Sequence, residues 1–242
     1  MKNSPSVNST FRTAIRQTLR NGPSNSSLLA PSKAPNLAGR TVLSRGFALL
    51  LFFLSLFAAS VVSASQANHS LFIKADGTLW AMGYNNHGQL GDGTTSNRNV
   101  PVQVPNVSGV VQVAAGDSHS LLLKTDGTLW AMGYNNYGQL GDGTTTDRHT
   151  PVQVSGGTGV VQVAAGSSHS LFLKDDGSLM AMGMNNNRQL GDGTSTHRNS
   201  PVQVRYSTNV AHIAAGGSHS FFLKTDGTLW AMGYNNHGQL GD

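Results

Sequence analysis

No cysteine and no glutamate occur among the 242 residues, charged side chains make up 11% and aromatics 7%. Without cysteine there is no disulfide scaffold, thiolate zinc site or cysteine nucleophile. Long helical periodicity is missing from residue 69 onward: no stretch of ten to twelve residues there repeats apolar positions at helical spacing, which excludes helix bundles and α/β folds for that part. Motifs that carry catalysis are likewise missing, with no Gly-x-Ser-x-Gly elbow, phosphate loop or zinc helix. What is plentiful is glycine, 29 residues of it, which suits turns and disfavours helices.

Charge is unevenly placed. All eleven acidic residues are Asp and the first is Asp76, while Lys2, Arg12, Arg16, Arg20, Lys33, Arg40 and Arg45 give the leader +7 of a net +5. The pI of about 9.7 therefore belongs to residues 1–45, and a nucleic-acid partner is not implied for the rest. Residues 1–45, rich in Ser, Asn, Pro and Arg, read as a disordered basic leader.

Residues 46–67 follow as an apolar helical segment with a cleavage site. Phe47–Ala59 is thirteen residues broken only by Ser55, the length of a signal-peptide core rather than of a membrane span. Arg45 precedes it, and Val62-Ser63-Ala64 and Ser65-Gln66-Ala67 offer small residues for a peptidase. A cleaved export signal is the first reading, giving a secreted, periplasmic or cell-surface protein. Left uncleaved, residues 46–64 would anchor the chain with its repeats outside. Phe11, Ile15 and Leu19 beside Arg12, Arg16 and Arg20 keep an organelle transit peptide open.

From residue 68 onward the chain repeats. His69, His119, His169 and His219 are fifty apart, as are Gly77, Gly127, Gly177 and Gly227. The units run near 69–118, 119–168 and 169–218, with an incomplete 219–242, about three and a half in all. Each reads as four short strands: Val110–Ala115, Ser120–Lys124, Thr128–Tyr134 and one opened by Pro151. Asp126-Gly127 signals a two-residue type I′ hairpin. In the third strand, alternation sets Trp130, Met132 and Tyr134 on one face and Leu129, Ala131 and Gly133 on the other. A bulky face against a smaller one lets radially stacked sheets interlock, so the expected fold is all-β, a β-propeller of four-stranded blades. A β-solenoid is the alternative.

Kelch and WD repeats fit less well, because Gly-Gly pairs occur out of register and no Trp-Asp dipeptide exists. Gly116–Ser120, Asp126–Trp130 and Gly133–Gly143 carry the motifs Gly-x-Ser-His-Ser, Asp-Gly-Thr-Leu-Trp and Gly-x-Asn-x-x-Gly-Gln-Leu-Gly-Asp-Gly. These resemble the regulator of chromosome condensation repeat family. The resemblance implies a seven-bladed propeller with a protein-binding face; members include nuclear exchange factors for a small GTPase and a secreted inhibitor of β-lactamases. Counted from the repeats there are fourteen strands, too few for such a ring; Val61-Val62 occupies the place of a missing first strand but lies in the export segment. The chain is then a truncated product or an arc that self-associates through open blade faces, and partial ends that do not join cleanly favour truncation.

The four register histidines fit a structural hydrogen bond better than metal ligation, since one per blade does not converge. Asp92, Asp142 and Asp192 fit turns better than calcium. No catalytic, metal or cofactor residue is expected. Differences between units fall on loops, where a rigid scaffold varies its contacts. His87, Tyr137 and His237 occupy one such position, Arg188 replaces a glycine, and Tyr206 falls in a variable turn. These five are the candidate partner-binding residues, while Trp80, Trp130, Trp230 and Met180 are expected in the core. The function expected is a non-catalytic scaffold binding a protein partner; a regulator of an enzyme or GTPase, or a fragment without independent function, are the alternatives.

Overall fold

The computed structural model describes residues 61–62 and 67–241. The basic leader, the apolar core of residues 47–59 and both small-residue cleavage sites beyond Val62 lie outside the described residues, Ala67 excepted.

Every regular element described is a strand. The first sheet holds β1 (Val61–Val62), β2 (His69–Ile73), β3 (Leu79–Gly83) and β4 (Arg98–Gln103). The second holds β5 (Val110–Ala115), β6 (His119–Lys124), β7 (Leu129–Gly133) and β8 (Arg148–Gln153). The third holds β9 (Val160–Ala165), β10 (His169–Lys174), β11 (Leu179–Gly183) and β12 (Arg198–Gln203), and the fourth β13 (Val210–Ala215), β14 (His219–Lys224) and β15 (Leu229–Gly233). Strands pair antiparallel in chain order within each sheet. These are the blades of a β-propeller.

Three expectations about the strands and turns need correction. Val61–Val62 is a strand, so the described strands number fifteen. Val61 pairs with Phe72 as Val113 pairs with Leu122, two residues out of the fifty-residue register, so sequence spacing alone misplaces it. The Asp-Gly hairpins are not two-residue turns. Gly127 N–H donates to Lys124 O at 3.0 Å and Lys124 N–H to Thr128 O at 3.0 Å, and only Gly127 has positive φ. This is a type I turn closed by a left-handed glycine, and Asp126 Oδ1 instead accepts the Thr128 N–H at 2.9 Å. Nor does proline open the outer strand: β8 starts at Arg148, three residues before Pro151. On the outermost strand the missing N–H can face water.

The interlocking faces are as expected. Leu71, Leu79, Ala81, Leu90 and Val104 of the first blade form one core with Val113, Ala115, Leu122 and Met132 of the second. Leu121, Leu129, Ala131 and Leu140 do the same with Val163, Phe172 and Met182 of the third. The cores thus lie in the seams between blades, where each fully buried Leu, Val, Phe or Met contributes about 1.5–3 kcal/mol. Leu121, Leu122 and Leu123 are all buried, because β6 is covered on both faces. A glycine shapes each seam: a Cβ on Gly91 would run into Met132 Sδ, and one on Gly141 into Met182 Sδ.

The tryptophans stand at the outer margin of the seams rather than in the core. Trp80 and Trp130 are half-buried, with indole N–H bonds to Thr78 and Thr128 Oγ1 and Lys74 and Lys124 over their rings. A polar handle and a cation favour such a boundary position. Met180 is also only partly buried against its core.

Candidate functional site, a loop surface carried across the seams

Polar chemistry inside each seam is fixed by the register histidines. His69 Nε2 lies 2.8 Å from Ser120 Oγ, His119 Nε2 3.0 Å from Ser170 Oγ, and His169 Nε2 2.9 Å from Ser220 Oγ. Ser120 Oγ donates to Gln89 O at 2.7 Å, so its proton is committed and His69 must donate from Nε2. Ser170 and Ser220 donate in the same way to Gln139 O and Gln189 O. The histidines are therefore hydrogen-bonded bolts between blades. Burial lowers the pKa of His69 and His169 to about 4 and that of His119 to about 3, and for His119 the nearby His169 and His69 lower it further. Nδ1 of each lies buried with no hydrogen-bond partner among the described residues, so a proton added there would be a buried, unpaired charge.

Above the seams, each loop from third to fourth strand is built around one buried asparagine. Asn85 Oδ1 accepts the Leu90 N–H at 2.9 Å, and its Nδ2 donates to Thr94 O and Ser96 O at 3.0 and 3.1 Å. Asn135 and Asn185 repeat the pattern. Asp92 Oδ2 takes the Arg98 Nε–H at 2.7 Å. Burial pushes the Asp92 carboxyl up, but hydrogen bonds from Thr94 and Arg98 outweigh it and hold the carboxyl below its ordinary value. Arg148 and Arg198 pair with Asp142 and Asp192 likewise. The loop frame is thus rigid and internally neutralised, and what varies on it is presented outward.

The varying residues meet across the seams. His87 Nδ1 hydrogen-bonds Asp147 Oδ2 at 2.9 Å, while Asp147 Oδ1 accepts the Asn135 N–H at 2.8 Å. The His87 ring meets the edge of Tyr134 at 4.7 Å, Tyr134 meets Tyr137 at 6.0 Å, and Tyr137 meets His197 at 5.0 Å. Two of the five expected residues, His87 and Tyr137, therefore stand in one continuous row with Tyr134 and His197. His237 is exposed and touches only Tyr234 in this manner, at 5.9 Å. Arg188 and Tyr206 are both exposed and line one groove beside Trp230.

Tyr134, Asp147 and His197 were not among the expected residues. Asp147 and His197 lie sixty residues from their partners His87 and Tyr137, one unit plus ten. The signal for them is paired change between adjacent units: His87 with Asp147, then Tyr137 with His197. That pairing is readable only once the seam is known.

The fold and its seam chemistry define a tandem-repeat β-propeller protein whose loops form the variable surface. The RCC1-like domain model matches residues 61–242, and the chain belongs to that family. Human WBSCR16 is similar at 29% identity and a TM-score of 0.63, over 69% of this chain and 45% of that one. Saccharomyces cerevisiae Prp20p is similar at 24% identity and 0.61, over 76% and 47%. A Xenopus laevis RCC2 homologue is 45% identical over 56 residues, 23% of this chain and 11% of that protein. The chain thus spans less than half the length of these relatives.

Proposed function

We propose that this chain is an exported, non-catalytic scaffold that binds a partner protein through its propeller loops. The observation that carries the reading is the row His87–Tyr134–Tyr137–His197, where residues that differ between units meet on a frame that does not vary. Tyr and His rings held by edge contacts give preorganised area for a protein surface at small entropic cost. Absence of catalysis is supported by the repetition itself, since enzyme chemistry needs an asymmetric cluster of unlike groups. Export is supported by Arg45 ahead of the apolar run 47–59. Cleavage after Ala64 or Ala67 would remove β1, so the mature first blade would start at β2.

Affinity capture with the wild type and with a Tyr137→Ala, His197→Ala double variant tests the loop assignment. A periplasmic or extracellular protein retained by the wild type and at least tenfold depleted with the variant is expected. Equal recovery by both would remove the row from the interface. N-terminal sequencing of the secreted chain tests export, and an intact Met1 contradicts cleavage. A second reading makes the partner an enzyme or GTPase regulated by these loops. It leans on Prp20p, whose structure was reported with its binding to Gsp1p and histones, and it is distinguished by assaying the recovered partner for a change in turnover or nucleotide exchange.

A further inference from the structure

In every blade one residue of the second strand sits directly opposite the large side chain of the third. The pairs are Phe72 with Trp80, Leu122 with Trp130, Phe172 with Met180 and Phe222 with Trp230. Phe72 and Phe222 stack on their indoles, with ring centroids 6.4 and 5.7 Å apart. Such offset stacking is favourable beyond the area it buries. Trp130 alone faces a leucine, and among the described residues no aromatic ring packs against it. The second blade thus keeps the indole and drops the ring that covers it.

A cavity of about 380 Å³ lies at that pair, in the seam between the first and second blades. Both blades have all four strands, so complete sheets bound it on either side. Leu122 and Trp130 line it from the second blade, and Val107 from the turn that leaves the first. Asn106 of that turn and Thr150 of β8, both exposed, add side-chain donors. Its volume falls within the range of small-molecule sites, roughly 300–1,000 Å³.

Lys124 is the one charged residue lining the cavity. Its Nζ stands 4.9 Å from the Trp130 ring centroid, whereas Lys74 closes to 3.4 Å on Trp80. No carboxylate among the described residues forms an ion pair with it. Asp126 lies within its field, yet Asp126 Oδ1 accepts the Thr128 N–H and Oγ1–H instead. A ligand complementary to these walls has a flat ring to lie on the indole where the other blades place phenylalanine. It also has a carboxylate to meet the ammonium in a charge-assisted hydrogen bond.

We propose that this cavity binds a small aromatic carboxylate, its ring on Trp130 and its carboxylate on Lys124. No residue of the seam-crossing row lines the cavity, so the site stands whether or not that row binds a partner. The probes are 3-phenylpropionate and its neutral amide, titrated into the ¹⁵N-labelled full-length chain. The readout is the indole N–H signals of its three tryptophans, assigned by single Trp→Phe variants. The acid should shift the Trp130 signal saturably and leave those of Trp80 and Trp230 in place, and the amide should bind at least tenfold more weakly. Leu122→Phe installs the residue that the other three units use at this position, and should abolish the shift. Lys124→Gln should weaken the acid at least tenfold and bring it level with the amide. No saturable shift at Trp130, equal shifts at all three tryptophans, equal affinity for acid and amide, or undiminished binding by either variant overturns the proposal.

Discussion

Acidification to about pH 5 should unfold this protein through three side chains, and the size of the effect follows from the seams. His69, His119 and His169 are neutral in the fold, with values near 4, 3 and 4 against an ordinary 6.5. The unfolded chain therefore takes up protons first as pH falls through 6.5. Stability is complete above about pH 7 and is lost progressively down to about pH 4, where the folded state begins to protonate as well. At pH 5 each histidine accounts for roughly 2 kcal/mol by that linkage, or about 6 kcal/mol for three. This is comparable with the whole stability of an ordinary domain, about 5–15 kcal/mol. Asp92 and Asp142 do not interfere: hydrogen bonds overcome burial to hold them below their ordinary 3.8, so the stability they give is lost only below that pH. Urea unfolding followed by tryptophan fluorescence should show the midpoint falling steeply between about pH 6.5 and 5 and recovering on return. His119→Gln should remove about a third of that slope. A midpoint that stays level from neutral pH to pH 5 would refute the reasoning, because the histidines would then be as free to protonate folded as unfolded.

Two further expectations use the internal copies as their own controls. Ser170→Ala strips the bridge between His119 and Gln139 O and should cost about 1–3 kcal/mol, whereas Ser70→Ala, at an exposed serine of the first blade, should leave the thermal midpoint within error; equal effects would show that the bridge carries no weight. Gly141→Ala forces a Cβ onto Met182 Sδ at a φ of +64° and should destabilise by more than the roughly 1 kcal/mol expected of the backbone alone, read as a lowered urea midpoint.

The fold was legible because the fifty-residue register repeats the same alternation three times, and alternation in Leu129–Gly133 assigns each face of the blade. Val61-Val62 was legible only as the place of a missing first strand, since it sits two residues out of that register and its composition reads equally as the end of an apolar segment. The hairpins were misjudged because Asp-Gly serves a type I turn with a left-handed glycine as well as a type I′ turn; only the neighbouring hydrogen bonds distinguish them. Within the candidate site, variation marked Tyr137 and Arg188 correctly as loop residues. What it could not show is association: His87 finds Asp147, and Tyr137 finds His197, through seams whose geometry no single unit contains. The tryptophans were placed too deep, because size and hydrophobicity do not register the threonine and lysine that hold the indole at the margin.

The bolts that join the blades use one chemistry at every joint: a histidine, the serine of the next copy and a glutamine carbonyl, with a methionine seated on a glycine beside them. Were residues 119–168 deleted, His69 would face Ser170 and Gly91 would face Met182, and the new joint would keep the same hydrogen bonds and the same glycine–methionine seat. Recombination between such copies can lengthen or shorten the array in whole-blade steps without inventing an interface. Copy number is then free to drift while the loops of each surviving blade specialise.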